Sequence, residues 1–400
     1  MSSFDRPELR FFTVVRLHTD SEGRLRAKTP LMAEEEWEPF RESFSRVVLY
    51  ARISSKSVSD DGYLVGAQAD DVIPLPYYDG PIGFLFRSRA IGKFLASHIR
   101  DPAVVYGLWA PSSISAMVSK RVKTIGARLI VRLIGDPTSV ATSIAPFGLR
   151  SILAKKARRA TRNVVRSADA VVYVTLRTLQ REYPAAADAL TLARTNLRLA
   201  SSTVEAAPKA YQQNSATSPV TLIAVGSQQQ SYKGHDVLIA AVAELRARGR
   251  DVRLTLVGDG RVHDDLELQA ERLGLDDVKF LRQVGTSDDV IAEVRRHDIF
   301  VMPSRTEGMP KALLEAMLAG VFSLGSNVGG IPEVLDPECV FEPNSSSALV
   351  ERLEYFLERP VLVADLARSQ RERARDIWSN HSGAALMSDF IRRFIVAKVR

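Results

Sequence analysis

A chain of 400 residues exceeds the usual size of one domain, so two domains of about 200 residues each are expected. Hydrophobic residues make up 46% and charged residues 25%, which is ordinary for a folded protein and excludes long disordered or collagen-like stretches. The net charge of +7 is uneven, because residues 1–205 hold 30 Lys+Arg against 20 Asp+Glu and residues 206–400 hold 24 against 27.

Cysteine usage and hydropathy narrow the class of protein further. Cys339 is the one cysteine, so no internal disulfide is expected, and six scattered histidines give no zinc-ligand spacing. Asp5 and Glu8 stand where a secretion signal needs a basic start and an apolar core. No apolar run reaches the ~18 residues that span a bilayer. We therefore expect a protein of the cytoplasm, located either in solution or at the inner face of the cytoplasmic membrane.

The N-terminal half alternates apolar strand candidates with helical or loop stretches, which is typical of βαβ units around a parallel sheet. The strand candidates are FFTVVRL (11–17), RVVLYAR (46–52), AVVYGLW (103–109), ARLIVRLIG (127–135) and AVVYVT (170–175). These elements predict a divergent Rossmann-like domain over residues 1–205. In it, Gly23 follows the first strand, where it either approaches a phosphate or forms a turn.

The most basic segment of this half is RSILAKKARRATRNVVR, residues 150–166. It has seven basic residues and no acidic one, and its apolar positions recur at roughly helical spacing. Such a helix can rest on an anionic membrane or hold a pyrophosphate-bearing acceptor. A solvated basic face on an ordinary helix is the equally weighted alternative.

The polar, proline-bounded stretch at residues 206–219 predicts an interdomain linker. Beyond it, residues 220–378 predict a second Rossmann-like domain, and the amphipathic segment within residues 379–400 predicts a helix that packs back on the N-terminal domain. The predicted strands are 221–226, 253–258, 278–281, 299–302 and 321–326, and the predicted helices are 235–249, 264–274, 287–297 and 311–319.

Ligands of open parallel sheets bind beyond the carboxyl ends of the strands, so the residues that follow each strand are candidates for a site. Here they are Gly226 and Lys233 after the first strand, Gly258 and Gly260 after the second, and the run 303–308 after the fourth. Glycines let backbone amides approach a phosphate, and a lysine supplies the matching charge.

The segment EGMPKALLEAMLAG, residues 307–320, is the most specific of these candidates. Pro310 suits the first turn of a helix and Gly320 its C-terminal cap. With a rise of ~1.5 Å per residue, Glu315 would lie about 8 Å along the helix axis from Pro310. Glu307 and Glu315 are then close enough to hold the vicinal hydroxyls of one ligand, while Lys311 and the helix N-terminus favour an anion.

Four segments together resemble the donor domain of the family-4 (group 1) retaining GT-B glycosyltransferases. They are VGSQQQSYKGHDVLIAAVAEL (225–245), LTLVGDGRVHDDLELQAERLGL (254–275), PSRTEGMPKALLEAMLAG (303–320) and SNVGGIPEVL (326–335). Residues 129–137 and 167–184 resemble the family's acceptor domain more loosely. The resemblance implies an α/β GT-B fold, with two facing Rossmann-like domains and a cleft between them.

By the same resemblance, Glu307 would hold hydroxyls of the donor sugar and Glu315 the ribose. Lys233, with the amides from Gly308 to Lys311, would hold the diphosphate. The predicted donor-binding residues are Gly23, Gly226, Ser227, Lys233, Gly258, Gly260, Glu307, Gly308, Met309, Pro310, Lys311 and Glu315. The predicted catalytic residues are Glu307, Lys233 and Asp136.

The chain departs from the family pattern at two positions. Ser227 and the glutamines after it replace an arginine that many members carry, and Arg305 and Arg261 are the candidates to supply the missing cation. Gly135 and Asp136 stand where many relatives have a histidine. Asp136 is thus the candidate that contacts the sugar or acceptor, although an Asp before a proline is also a common turn former.

The resemblance implies transfer of a sugar from a nucleoside-diphosphate sugar to a glycan or lipid-linked acceptor, with retention at the anomeric carbon. The expected setting is the synthesis of a cell-surface polysaccharide. Because no Asp-x-Asp stands at a suitable strand end, neither metal nor cofactor is expected. The alternatives are a nucleotide-sugar epimerase of similar architecture and a catalytically silent relative that binds sugar nucleotides. A dinucleotide-dependent dehydrogenase is disfavoured because GDGRVH lacks the third fingerprint glycine. Nucleic acid is disfavoured as a partner because no reader motif is evident.

Overall fold

The computed structural model describes residues 6–27, 32–58, 60, 62–66, 68–138, 150–209, 219–282 and 285–397. The chain folds into two compact units. The N-terminal unit comprises residues 1–194 together with 383–400, and the C-terminal unit comprises residues 195–382. Among the helices of the described residues, none is both long enough and apolar enough to cross a membrane.

The described residues of the N-terminal unit are built on a sheet of nine strands. Its strands are β1 (Glu8–Thr19), β2 (Leu25–Ala27), β3 (Arg46–Val58), β4 (Tyr63–Leu64), β5 (Asp71–Pro74), β6 (Val105–Ala110), β7 (Leu129–Leu133), β8 (Ala170–Tyr173) and β9 (Leu190–Ala193). Seven of them pair in parallel in the order β5-β3-β1-β6-β7-β8-β9, while β2 pairs antiparallel with β1 and β4. The predicted Rossmann-like architecture is therefore present, with an antiparallel hairpin added after its first strand.

Helices cover both faces of this sheet. They are α1 (Glu34–Ser43), α2 (Gly80–His98), α3 (Ser115–Thr124), α4 (Arg150–Arg166) and the short α5 (Thr178–Glu182). Alternate residues of β1 point to opposite faces, so that Phe12 joins the core beneath α2, α3 and α4 while Phe11 joins the core beneath α1. Gly107 makes room for Phe11, because a Cβ there would lie 2.2 Å from the phenyl ring.

The C-terminal unit has a six-stranded, fully parallel sheet in the order β12-β11-β10-β13-β14-β15. The strands are β10 (Val220–Val225), β11 (Val252–Val257), β12 (Lys279–Leu281), β13 (Ile299–Met302), β14 (Phe322–Ser326) and β15 (Val340–Phe341). Helices bury both faces of such a sheet, which explains why β13 and β14 are buried at every position. The first five strands match the prediction to within a residue, and β15 was not predicted.

The helices of this unit follow the strands in βαβ order. They are α6 (Ser201–Glu205), α7 (His235–Ala247), α8 (His263–Arg272), α9 (Ser287–Arg295), α10 (Lys311–Leu318), α11 (Ile331–Val334), α12 (Ser346–Leu357) and α13 (Pro360–His381), with 3₁₀ turns at Ser231–Lys233 and Pro337–Cys339. Pro310 is the residue that precedes α10 rather than part of its first turn. Gly320 follows the helix with a positive φ of 76°.

The boundaries between the units differ from the predicted ones. The predicted limit at residue 205 moves to 194, since the backbone N–H of Thr195 donates to His381 O and α6 belongs to the C-terminal unit. The predicted limit at residue 379 moves to 383, where α14 (Ala384–Val396) rejoins the N-terminal unit through Phe390 and Phe394. Residues 210–218, the middle of the predicted linker, lie outside the described residues.

A buried charge cluster lies in the N-terminal unit. One carboxylate oxygen of Glu36, on α1, accepts hydrogen bonds from Arg132 of β7 at 2.7 Å and from Arg194 at 2.8 Å. All three side chains are buried. Burial, together with the charge of Arg194, lowers the pKa of Arg132 to about 9. Arg194 also donates to Gly383 O at 3.1 Å, so the cluster holds the residue that begins α14.

Replacing Glu36 with alanine would leave two buried guanidinium groups without this acceptor. We expect Glu36→Ala to lower the free energy of unfolding by about 3–5 kcal/mol, because breaking a buried pair leaves charge uncompensated. Glu34→Ala is the matched control, since Glu34 is exposed and lies 3.6 Å from Arg41 in a surface ion pair. Urea denaturation measures both variants, and equal midpoints for the two would contradict this role of Glu36.

Candidate functional site

Four strand-end loops converge at one edge of the C-terminal sheet. The strands β10, β11, β13 and β14 are parallel neighbours or next neighbours, so their carboxyl ends share an edge. The loops that follow them contain the residues 226–233, 258–260, 303–310 and 327–330. This edge therefore brings together the predicted donor-binding residues of the C-terminal half, as the topology of a parallel sheet requires.

Glycines allow the first two loops to touch backbone to backbone. A Cβ on Gly258 would lie 1.9 Å from Gly226 O, and a Cβ on Gly260 would lie 2.1 Å from the carbonyl carbon of Gln228. The contact is held by hydrogen bonds from Gln228 N to Asp259 O at 3.0 Å and from Val262 N to Gln228 O at 3.0 Å. Any side chain at these two glycines would separate the loops.

The same close approach brings the loop after β13 against the segments that follow β10 and β14. Gly234 has a φ of 69°, and a Cβ there would lie 2.0 Å from Pro303 O. Gly329 has a φ of 54°, and a Cβ there would lie 2.1 Å from Glu307 O. The described contacts thus account for these glycines by loop packing, whereas the sequence interpretation attributed strand-end glycines to phosphate approach. A contact of their amides with phosphate stays a prediction.

Lys233 and Glu307 meet at the centre of these loops. The Nζ of Lys233 donates to Glu307 Oε1 at 2.6 Å, and the Oγ of Ser304 donates to the same oxygen at 2.6 Å. The aliphatic stem of Lys233 lies over Gly226, where a Cβ would be 3.0 Å from the lysine Cγ. Two residues predicted to hold different parts of one donor are therefore ion-paired to each other.

Glu315 lies on the second turn of α10 and is almost fully buried. Burial raises the pKa of its carboxyl, and the positive charge of Lys311, 3.3 Å away, partly offsets that rise. Lys311 also donates to Ser287 Oγ at 3.0 Å. A carboxylate held dry beside one lysine is well suited to accept hydrogen bonds from ligand hydroxyls, because such bonds are stronger where water is excluded.

One of the two suggested substitute cations already has a carboxylate partner, and its contact with phosphate stays a prediction. Arg305 makes a two-pronged ion pair with Asp236 at 2.8 and 2.7 Å, and its Nε donates to Asn344 Oδ1. Its guanidinium therefore serves to hold the loop to α7. Arg261 is exposed on the second loop, and Ser227 is exposed with its Oγ accepting from Gln229 N at 3.3 Å.

Asp136, in the N-terminal unit, has a dense set of partners. Its carboxylate accepts from Thr138 N at 2.6 Å and from the Tyr183 hydroxyl at 2.9 Å, and Arg158 lies 3.4 Å away. Burial by itself would raise the pKa of Asp136, but the hydrogen bonds from Thr138 and Tyr183 together lower it. These contacts show the turn-forming role, and a contact of Asp136 with sugar or acceptor stays a prediction.

Gly23 lies in the exposed turn between β1 and β2, with a φ of 79° and open space where a Cβ would be. Its N–H donates to Asp20 O at 3.1 Å. The turn therefore explains this glycine, as the alternative interpretation stated. Its assignment as a donor-binding residue has no support in the contacts of the N-terminal unit and stays a prediction.

The sequence analysis assigned no role to several residues of the site. Ser304 is buried and orients Glu307, and Asp236 fixes Arg305. Gln228, which is also buried, contacts the ring of His263 through an Oε1–Nδ1 distance of 2.5 Å. The position of Ser304, two residues after the end of β13, is the signal that could have indicated its contact with Glu307. Side chains at strand ends meet at this edge of the sheet. The described residues contain no group of three or more His, Cys, Asp or Glu that could hold a metal ion.

Comparison with known families finds a match to the model of "Glycosyl transferases group 1" over residues 209–376. Protein CapJ of Staphylococcus aureus is 24% identical over 332 residues, which cover 82% of this chain and 80% of that protein. A GDP-mannose-dependent monoacylated alpha-(1-6)-phosphatidylinositol monomannoside mannosyltransferase of Corynebacterium glutamicum is 33% identical over 172 residues. That second match covers 41% of this chain and less than half (44%) of the mannosyltransferase.

Solved structures with the same fold span both units. Sucrose-phosphate synthase from Thermosynechococcus elongatus has a TM-score of 0.68 and 16% identity, covering 98% of this chain and 100% of the other. HepE of Anabaena, solved in complex with UDP, has a TM-score of 0.62 and 16% identity, also covering 98% and 100%. The fold is that of the GT-B class. None of these relatives has a name that favours the epimerase alternative.

His235, which lies beside the site, makes the stability of the folded protein depend on pH. Burial, with a smaller effect of the Lys233 charge, lowers the pKa of this imidazole from 6.5 to about 4. Between those pH values the unfolded chain binds a proton that the folded protein does not, so stability is lost as the pH falls. We expect this residue to account for a loss of at most about 3 kcal/mol between pH 7 and pH 4.

The measurement is the free energy of unfolding of the wild type and of His235→Gln across that pH range. The variant should lose less stability on acidification, while His98→Gln, a substitution in the other unit, controls for removal of a histidine. Parallel curves for the wild type and His235→Gln would show that His235 does not stay neutral in the folded protein.

Proposed function

Because residues 209–376 match the model of the group 1 glycosyltransferases, we propose that the chain belongs to this family and transfers a sugar from a nucleoside-diphosphate sugar with retention of anomeric configuration. The observation that carries the proposal is the placement of Lys233, Glu307 and Glu315 around the strand-end loops of the C-terminal unit. Their chemistry matches the three parts of such a donor, which are a diphosphate, a sugar and a ribose.

The Lys233–Glu307 ion pair gives the donor a specific way to bind. A diphosphate can replace Glu307 as the acceptor for Lys233, and sugar hydroxyls can replace Lys233 as the donors to Glu307. Both side chains then keep hydrogen-bonding partners, so binding leaves neither of these polar groups unsatisfied. Ser304 keeps the Glu307 carboxylate in place when the lysine turns to the phosphate, since its bond of 2.6 Å is independent of Lys233. Glu315 accepts the ribose hydroxyls.

Departure of the nucleoside diphosphate is the chemical step that this site assists. Negative charge grows on the leaving phosphate oxygen, and Lys233 together with the N-terminal amides of α10 can stabilise it. Loop packing holds Lys233 and these amides in place before the reaction. Such stabilisation is effective because the hydrogen-bonding groups need no rearrangement. We propose that no metal is needed for this charge compensation, and that the acceptor hydroxyl attacks from the face that the diphosphate leaves.

The acceptor is proposed to be a glycan or a lipid-linked saccharide at the cytoplasmic membrane face, in the synthesis of a cell-surface polysaccharide. Two observations support this proposal. The excess of basic residues lies in the N-terminal half, and α4 carries seven of them without an acid. A relative named above acts, by its name, on a phosphatidylinositol mannoside. We propose that α4 contacts the anionic membrane surface.

The donor-site assignment predicts a nucleotide-dependent shift in thermal stability. UDP, GDP, ADP and their sugar conjugates are screened without metal. Saturation at ~100 times the dissociation constant should add about 2.7 kcal/mol to the stability of the wild type. Glu315→Ala should lose that shift, while Glu271→Ala, at an exposed position of α8, should keep it. A shift that survives in Glu315→Ala would remove this residue from the donor site.

Lys233 is expected to matter more for turnover than for binding. With the donor found in that screen, Lys233→Ala should lower kcat by ~100-fold, as the loss of one stabilising group usually does. Lys279→Ala, an exposed lysine of β12, should leave kcat unchanged. The assays contain EDTA, and NMR of the product determines its anomeric configuration. An inverted product, or complete loss of wild-type activity in EDTA, would refute the corresponding part of the mechanism.

A further inference from the structure

Helix α2 has an apolar inner face and, at its N-terminal end, an apolar outer face as well. Ile91 and Leu95 pack into the core of the N-terminal unit. On the opposite side, Ile82, Leu85 and Phe86 expose 66%, 68% and 86% of their surface. Single exposed apolar residues are ordinary, but three at helical spacing within the first two turns form a patch that ordinarily marks an interaction site.

The outer face of α2 changes from apolar to basic along the helix. Arg87, Arg89 and Lys93 are exposed on the turns that follow the patch. No acidic residue occurs between residues 80 and 100. An apolar tip followed by basic residues complements an anionic lipid surface, whose acyl boundary takes apolar side chains and whose headgroups attract lysine and arginine.

Helix α4 repeats this order. Ile152 and Leu153 in its first turn expose 49% and 40% of their surface. Exposed basic residues follow on the next turns at Lys155, Lys156 and Arg159. The inner residues of both helices, such as Val164 of α4, belong to the same core. The exposed apolar residues at the two N-terminal ends therefore lie outside that core.

The topology brings the two apolar tips to one side of the N-terminal unit. Each helix begins after a strand of the parallel sheet, β5 for α2 and β7 for α4, so both N-termini lie at the carboxyl edge of that sheet. Helix α3 packs between them and contacts both. Since packed helices lie roughly 8–10 Å apart, the axes of α2 and α4 are about 20 Å apart. Both tips can therefore meet one flat surface.

We propose that the outer face of α2 inserts Ile82, Leu85 and Phe86 into an anionic lipid bilayer, as a second attachment beside α4. The basic residues Arg89 and Lys93 then lie at the headgroups. The proposed lipid-linked acceptor would give this contact its purpose, and to that extent the inference rests on the proposed function. The attachment itself is a property of the N-terminal unit and needs neither donor nor catalysis.

The test is sedimentation of the full chain with vesicles, without nucleotide or acceptor. Vesicles of phosphatidylcholine mixed with phosphatidylglycerol should bind the wild type, and vesicles of phosphatidylcholine alone should bind it much less. The triple variant I82Q/L85Q/F86Q should bind the anionic vesicles at least about tenfold more weakly, since its apolar insertion is removed. The double variant R89Q/K93Q should bind about tenfold more weakly at low salt.

The matched control is L268Q/L273Q/V361Q, which removes three exposed apolar side chains from the C-terminal unit. It should bind vesicles as the wild type does. The substituted side chains are exposed in every variant, so the melting temperature and any nucleotide-dependent shift should be unchanged. These two readouts separate a failure of the membrane inference from a failure of the proposed transferase function.

Three results would overturn the proposal. The first is vesicle binding by I82Q/L85Q/F86Q equal to that of the wild type, and the second is no binding by the wild type at all. The third is a wild-type dimer in analytical ultracentrifugation without lipid that the triple variant converts to a monomer. In that case the patch on α2 would be an interface between two copies of the chain.

Discussion

The backbone contact between strand-end loops is the constraint on which the rest of the C-terminal unit depends. Gly258 and Gly329 each lie where a Cβ would overlap a neighbouring carbonyl, so the loops can meet only if these positions have no side chain. These contacts fix the positions of Lys233 and Glu307. Lys233 lies on the loop that Gly258 contacts, and Glu307 lies on the loop that Gly329 contacts. Preorganised charges need such a scaffold, because a site that moves by about 1 Å loses most of its electrostatic advantage.

The charges of this site are compensated before any ligand arrives. Lys233 pairs with Glu307, and Lys311 lies beside the buried Glu315. A site with free, desolvated charges would destabilise the folded unit, whereas paired charges can exchange partners when a ligand that carries both an anion and hydroxyls arrives. The arrangement is thus consistent with the proposed bipartite ligand, because phosphate alone would take Lys233 from Glu307 and offer the carboxylate no hydrogen-bond donor in its place.

Sequence periodicity predicted the C-terminal unit well because its strands are buried on both faces and its helices alternate with them regularly. It could not predict β15, which has two residues, or the hairpin after β1, which interrupts the βαβ order. Contacts between distant residues were equally invisible. The Arg305–Asp236 pair and the hydrogen bond of Tyr183 to Asp136 join segments whose proximity only the folded chain reveals. The sequence suggested Arg305 as a substitute for the missing arginine and gave no sign that Asp236 pairs with it.

The two units use basic residues in different ways. In the C-terminal unit, arginines such as Arg246, Arg305 and Arg373 are paired with carboxylates. In the N-terminal unit, α2 and α4 present basic residues with no acid within either helix. Charge that is not compensated nearby attracts an extended anionic surface at long range. The basic excess visible in the sequence thus lies in the unit whose helices α2 and α4 we propose to contact a membrane.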